Sequence, residues 1–266
     1  MTVEQAYKQL ETAFSDFSGR ENWQEFLEFS ARFRGYSLNN TILIRIQNPD
    51  ARYLKGYKSW QKLGRQVKRG THGIKIFAPV TYKKKLKDSD EEEKRYIAGF
   101  RLATVFDLSQ TEGDDDQLPV MMTGIRSDHD YTDMMHRLIE RSPVPVELVD
   151  MGYAGHGCYF TDSGIIRINE RSTSTQNLKT LFHELGHHFC TQLKEKHEYS
   201  REEFVVESAA YLVCCQLGID TGEYSIPYLR SWFNDFKGFQ IMRKSIEAVV
   251  KRLMEIAEDE LKEATA

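Results

Sequence analysis

Two histidines four residues apart, with a glutamate beside the first, stand in Leu181-Phe182-His183-Glu184-Leu185-Gly186-His187-His188-Phe189-Cys190. On an α-helix, positions i and i+4 project from one face, about 40° apart around the axis. From there His183 and His187 can grip one zinc ion as neutral imidazoles. Glu184 can reach a water on that ion as general base, which is the chemistry of metal-dependent hydrolysis. A zinc site needs at least one more protein ligand. Glu207 lies between Val206 and Ser208-Ala209-Ala210, in the most apolar part of the next helix. An unpartnered carboxylate is costly there, and a metal would account for it. Glu203, one turn earlier on the same face, is the second candidate, as ligand or as acceptor behind a histidine. Plainer roles compete with these: a carboxylate paired with Arg, and histidines that are only core or surface residues.

These groups must be positioned by apolar packing. Leu181, Phe182, Leu185, Phe189 and Leu193 supply a wall for the first helix, with Asn177 or Thr175 as its cap. Ser208, Ala209 and Ala210 are small enough for two helices to approach closely. Gly218 stops the second helix. Upstream, Gly155 to Phe160 and Ile165 to Asn169 read as a β-hairpin through a Ser163-Gly164 turn, running into the His183 helix. A strand edge beside the metal can hold an extended peptide by main-chain pairing. Tyr211, Tyr224, Tyr228 and His197 are unranked candidates to steady an oxyanion, and His156 is a further polar group near the site.

The front half has a different chemistry. Between residues 31 and 80 there are eleven Lys and Arg residues against one acid, Asp50. Tyr36, Tyr53, Tyr57, Trp60 and Phe77 are interleaved with Arg45, Arg65, Lys68, Arg69 and Lys75, and with Asn39, Asn40 and His72. Cations for phosphates and ring faces for unstacked bases are what single-stranded nucleic acid requires. A basic surface turned to solvent or to the acidic C-terminal half explains the same composition. Helices are expected over residues 3–17, 23–33, 41–46 and 56–63. Strands are expected at Ile74 to Val80 and Tyr96 to Phe106, paired antiparallel around a solvated, charged tip at residues 83–93.

The chain has 266 residues, 40% of them hydrophobic, enough for two cored domains. The composition predicts an α+β protein with domains at 1–112 and 127–266, joined by an acidic, Gly/Pro-bounded linker at 113–126. The second domain should hold a helix at Tyr131 to Arg141, a strand at Val144 to Val149 and a closing packing helix at Phe239 to Glu263. No apolar run approaches membrane-spanning length, and Met1-Thr2-Val3-Glu4-Gln5 has no signal-peptide character. Cys158, Cys190, Cys214 and Cys215 lack paired ligand spacing and read as reduced core residues of a cytoplasmic protein.

Several stretches together resemble a family. Tyr36 to Asn40, Tyr53 to Trp60, Gly64 to Ile74 and Val105 to Thr111 resemble the N-terminal domain of ArdC-type antirestriction proteins. His183 to His187, Val206 to Leu212 and Tyr228 to Trp232 are similar to their C-terminal zincin-like, gluzincin-type metallopeptidase domain. The likeness implies single-stranded DNA binding in front, and a zinc-dependent peptidase fold behind that acts on a protein or peptide substrate. It also implies a mobile genetic element that protects incoming DNA from restriction. The metallopeptidase residues are shared with the ImmA/IrrE type that cleaves repressors. A DNA-binding protein with a non-catalytic metal site is the remaining alternative. The charged hairpin at 83–95 and His188 depart from the family pattern.

Overall fold

The computed structural model describes residues 1–16, 20–84, 94–116, 118, 130–152, 155–221 and 236–264. It is an α+β protein that divides into two units, residues 1–16 with 35–118 and residues 17–34 with 119–266. Among the described residues no helix is long and apolar enough to cross a membrane. The hairpin tip and most of the expected linker lie outside the described residues, as does the stretch Tyr224 to Phe233, whose sequence reads as the start of a further helix.

The first unit is built on α1 (Val3–Asp16), α3 (Leu38–Gln47), α4 (Tyr57–Lys62) and two sheets. β1 (Leu54–Gly56), β4 (Lys94–Asp107) and β3 (Ile74–Lys84) form an antiparallel sheet in that spatial order. β2 (Arg65–Val67) pairs with β5 (Thr111–Gly113). The long pair β3–β4 follows the alternation in the sequence. Ile74 stands opposite Val105 and Phe77 opposite Leu102, with a bulge between Val80 and Thr81. The three short strands were not legible, because three residues give too little alternation to see.

α3 is tied to the edge of β3 by two side-chain amides. Asn40 donates to the carbonyl of Phe77 at 2.9 Å and accepts from its N–H at 2.8 Å. Two turns further along the same face, Gln47 does the same with Lys75, at 2.9 Å in both directions. Each amide replaces a missing neighbouring strand, so edge groups that would otherwise be unsatisfied are paired. Asp107 is a second tie. Its buried carboxylate accepts from the backbone N–H groups of Arg52, Tyr53 and Ser109.

The second unit contains α2 (Arg20–Ala31), α5 (Thr132–Glu140), α6 (Ser174–Thr191), α7 (Tyr199–Leu217), α8 (Phe236–Ile256) and α9 (Glu258–Ala264). β6 (Val146–Val149), β8 (Ile165–Asn169) and β7 (Gly157–Phe160) form its sheet, β8 central, parallel to β6 and antiparallel to β7. α2, expected with the N-terminal domain, groups here instead. Its apolar face carries Trp23, whose Nε1–H donates to Ser208 Oγ at 3.1 Å and whose ring meets Phe204 and Phe239. The closing helix is interrupted at Ala257. There α9 turns so that the buried carboxylate of Glu260 meets Arg137 and Arg141 of α5.

Candidate metal centre

α6 begins earlier than expected. Its cap is Thr173, whose hydroxyl accepts from Gln176 N–H, and not Asn177 or Thr175, which lie inside the helix. His183, Glu184 and His187 occupy its middle. Two glycines allow its neighbours to come close. A Cβ on Gly186 would stand 2.8 Å from Val206 Cγ1 on α7, and one on Gly157 would stand 2.4 Å from Thr180 Cγ2. So α7 packs against the face of α6 that carries the histidines, and β7 lies against Glu184.

Nε2 of His183 and Nε2 of His187 are 3.3 Å apart. Glu203 of α7 faces both, with Oε2 3.5 Å from His183 Nε2 and Oε1 3.2 Å from His187 Nε2. The opposite ring nitrogens are engaged elsewhere. His183 Nδ1 meets Glu207 Oε2 at 3.0 Å, and His187 Nδ1 meets Glu202 Oε1 at 2.9 Å. Each carboxylate fixes the tautomer with the proton on Nδ1, leaving the Nε2 lone pair turned inward. In that tautomer three electron-rich atoms converge, a set that a divalent cation can fill once the extra imidazole protons leave. Ligands about 2.0–2.2 Å from a tetrahedral ion are themselves about 3.3–3.6 Å apart, close to these separations. His183, His187 and Glu203 thus offer one donor atom each, all within 4.8 Å of one another.

Glu207 was the expected third ligand, and the structure gives it a different place. Its carboxylate stands behind His183 and pairs with Lys179 Nζ at 2.8 Å. The reading that a carboxylate in this apolar stretch must be partnered holds. Its partners are a histidine and a lysine, because position 207 is one turn too far along α7 to face Nε2. Glu202, which has no role in the sequence reading, orients His187. Its only signal was its place beside Glu203.

The electrostatics follow from this crowding. Burial pulls His183 down, yet hydrogen bonds to Glu203 and Glu207 and the charges of Glu207 and Glu184 raise it to about 9. Burial likewise opposes protonation of His187, and Glu202, Glu203 and Glu184 raise it to about 9. Glu203 is held far below the usual carboxylate range by the two histidines, against its own burial. Glu184 is 8% exposed. Burial pushes its carboxyl up, with His183, His187 and the Tyr159 backbone N–H pulling the other way.

Of the oxyanion candidates, Tyr211 hydrogen-bonds Glu28 and Gln24, and His197 hydrogen-bonds Ser245. Tyr224 and Tyr228 lie outside the described residues. Among the described residues, a phenol close enough to the cluster for Glu203 to push its pKa up is Tyr199, the first residue of α7, which is 78% exposed. Sequence reasoning missed it. It sits one turn before Glu203, and that spacing was the available signal. His156 is exposed and pairs with Ser172 Oγ at 3.0 Å.

The expected nucleic-acid residues divide by burial. Tyr57, Lys68, Arg69 and His72 are exposed, and Tyr36, Arg45, Tyr53 and Lys75 are half-buried. Asn39, Asn40, Trp60 and Arg65 are buried. Asn40 holds Phe77, as above. Trp60 Nε1–H donates to the Phe106 carbonyl at 2.9 Å. The Arg65 guanidinium binds Thr111, the Gly113 and Asp114 carbonyls, and the Asp115 carboxylate. Cation and amide counts alone do not separate such internal donors from surface ones.

Comparison with known proteins finds two families in succession. Residues 3–106 match the family described as the N-terminal domain of anti-restriction factor ArdC, and residues 140–214 match the IrrE N-terminal-like domain of the M78 peptidases. An uncharacterized protein of Bacillus anthracis is 26% identical over 277 residues, covering 88% of this chain and 46% of that protein. The chain therefore spans about half the length of the curated relative it matches. The metal-free crystal structure of antirestriction ArdC protein from R388 plasmid aligns with a TM-score of 0.54 at 18% identity, covering 86% of this chain and 85% of that one. Its Mn(II)-bound form aligns with a TM-score of 0.50 at 16% identity, covering 89% and 87%. Residues 3–106 thus match an ArdC N-terminal domain and residues 140–214 an M78 IrrE N-terminal-like domain, on a fold shared with the ArdC protein of R388 plasmid.

Proposed function

We propose that this antirestriction-type protein binds single-stranded DNA through its first unit and hydrolyses a peptide bond at a zinc site formed by His183, His187 and Glu203. The observation that carries the reading is the inward convergence of two Nε2 atoms at 3.3 Å, with both Nδ1 atoms held by carboxylates. A divalent ion there would supply Lewis-acid polarisation of a carbonyl and a water of lowered pKa. The chain supplies the rest. Glu207 and Glu202 hold the imidazoles in their ligand tautomer, and Lys179 balances the charge of Glu207. Glu184, buried and raised, takes a proton from water and returns it to the leaving amine. Tyr199 offers its hydroxyl to the developing oxyanion at the open side of the cluster. The Mn(II) in the ArdC structure supports a divalent ion in this fold, and zinc is the choice that suits two imidazoles and a carboxylate.

The match to the IrrE N-terminal-like domain favours a second reading, a peptidase that cleaves one specific repressor. Substituting Glu184→Gln separates hydrolysis from binding, because a site that only binds metal has no use for Glu184. In the primary reading, E184Q keeps metal and DNA and loses antirestriction. Antirestriction that survives E184Q would leave hydrolysis without a part in it.

A further inference from the structure

The far end of the β3–β4 ribbon has the surface of a binding element. Tyr82 and Tyr96 face each other across the strands, rings stacked at 5.8 Å with 29° between planes. They remain 51% and 39% exposed. Ile97 and Phe100 on the same ribbon are 62% and 49% exposed. A two-stranded ribbon with so much apolar surface in water is uncommon without a partner.

The register adds a second, independent observation. Beyond the tyrosine pair, Lys83 stands opposite Arg95 and Lys84 opposite Lys94. Like charges in facing positions destabilise an antiparallel pair. Successive rungs alternate between the faces of the ribbon, so Lys84 and Lys94 hold positions on the tyrosine pair's face and Lys83 and Arg95 on the other; each works against the hairpin unless an anion lies over it. Arg101, exposed and opposite Ala78, continues the cationic surface toward the body of the unit. The acids of the segment, Asp88 and Asp90 to Glu93, stand between Lys87 and Lys94 in the sequence, beyond the paired rungs.

We infer that the Tyr82–Tyr96 pair and the cationic rungs next to it form a clamp for single-stranded DNA, bases stacking on the exposed rings and phosphates lying along the cations. The inference rests on the DNA-binding reading above and moves its centre. Several residues of the 31–80 window are spent on internal bonds, whereas these rings are free to be covered. A protein partner fits less well, since exposed stacked rings beside cationic positions match bases and phosphates. Duplex DNA hides its base faces, so rings gain nothing from it.

The test is fluorescence anisotropy of a labelled oligothymidylate titrated with the full chain. Wild type should bind, and unlabelled duplex should compete poorly. Tyr82→Ala with Tyr96→Ala should weaken binding about tenfold to a hundredfold, while Tyr82→Phe with Tyr96→Phe should bind nearly as wild type. Lys83→Glu with Lys84→Glu turns both like-charge rungs into ion pairs. It should weaken binding while leaving the melting temperature unchanged or higher, which a merely misfolded variant would not do. A wild type that ignores the oligonucleotide overturns the DNA-binding reading itself. A wild type that binds, with the alanine pair binding equally well, overturns the clamp alone. Equal competition by duplex contradicts the stacking.

Discussion

Glu207 Oε2 lies 3.0 Å from Nδ1 of His183, on the side of the ring away from the Nε2 that faces His187. Ligand and acceptor therefore come from the same helix, one turn apart, in the order Glu203 then Glu207. Removing the two should have unequal effects. Glu203→Ala takes away a donor atom and should abolish stoichiometric metal. Glu207→Gln keeps an acceptor in place and should weaken metal about 10–100-fold. Metal content after dialysis against graded chelator distinguishes them, and an inverted order would return Glu207 to the ligand set.

Metal affinity should rise steeply with pH. Both imidazoles hold a proton up to about 9 in the metal-free cluster, and an ion must displace it. With two coupled protons released, affinity should change by up to about a hundredfold per pH unit below that value. Stability of the metal-free protein should run the other way. A histidine raised above its unfolded value stabilises the fold fully below about 6.5, and that contribution is lost as pH passes about 9. Melting curves with and without zinc, from pH 6 to 9.5, should diverge as pH rises. Parallel curves would mean the histidines are not the groups the metal displaces.

Gly186 should be irreplaceable for a reason that is steric and local. Its added Cβ would stand 2.8 Å from Val206 Cγ1, so Gly186→Ala should cost about 1–3 kcal/mol and push α7 away from the histidines. Val206→Ala in the same chain should restore both stability and metal. Rescue of stability without rescue of metal would show that α6–α7 spacing does not set the site.

Asn40 should behave as a structural residue. Asn40→Leu leaves the buried N–H and C=O of Phe77 without partners, at about 1–3 kcal/mol each. Urea denaturation should register this loss. Oligonucleotide affinity of the still-folded variant should change little, since the amide does not face solvent. A stable variant that fails to bind would make Asn40 a contact residue after all.

The parts of this molecule that could be read from sequence are those written in long periods. The 3.6-residue spacing of Leu181, Phe182, Leu185 and Phe189 gave α6, and the alternation of Ile74, Ile76 and Ala78 gave β3. Gly218, at φ 74°, ended α7 as its type requires. Ligand order within α7 was not written in this way. Glu202, Glu203 and Glu207 are chemically alike, and only the crossing of α6 over α7, set by Gly186 against Val206, decides which of them meets Nε2. Arg65 and Trp60 failed for a related reason. Their types suit a surface that binds DNA as well as an interior that needs a donor, and only the pairing of β2 with β5 and of β1 with β4 decides.

Crystals of the zinc-loaded protein, measured with anomalous diffraction at the zinc edge, would address the metal centre most directly. The expected result is one ion about 2.0–2.2 Å from His183 Nε2, His187 Nε2 and a Glu203 oxygen, with Glu207 still behind His183. An ion held by Glu207, or no ordered ion between the two histidines, would contradict it.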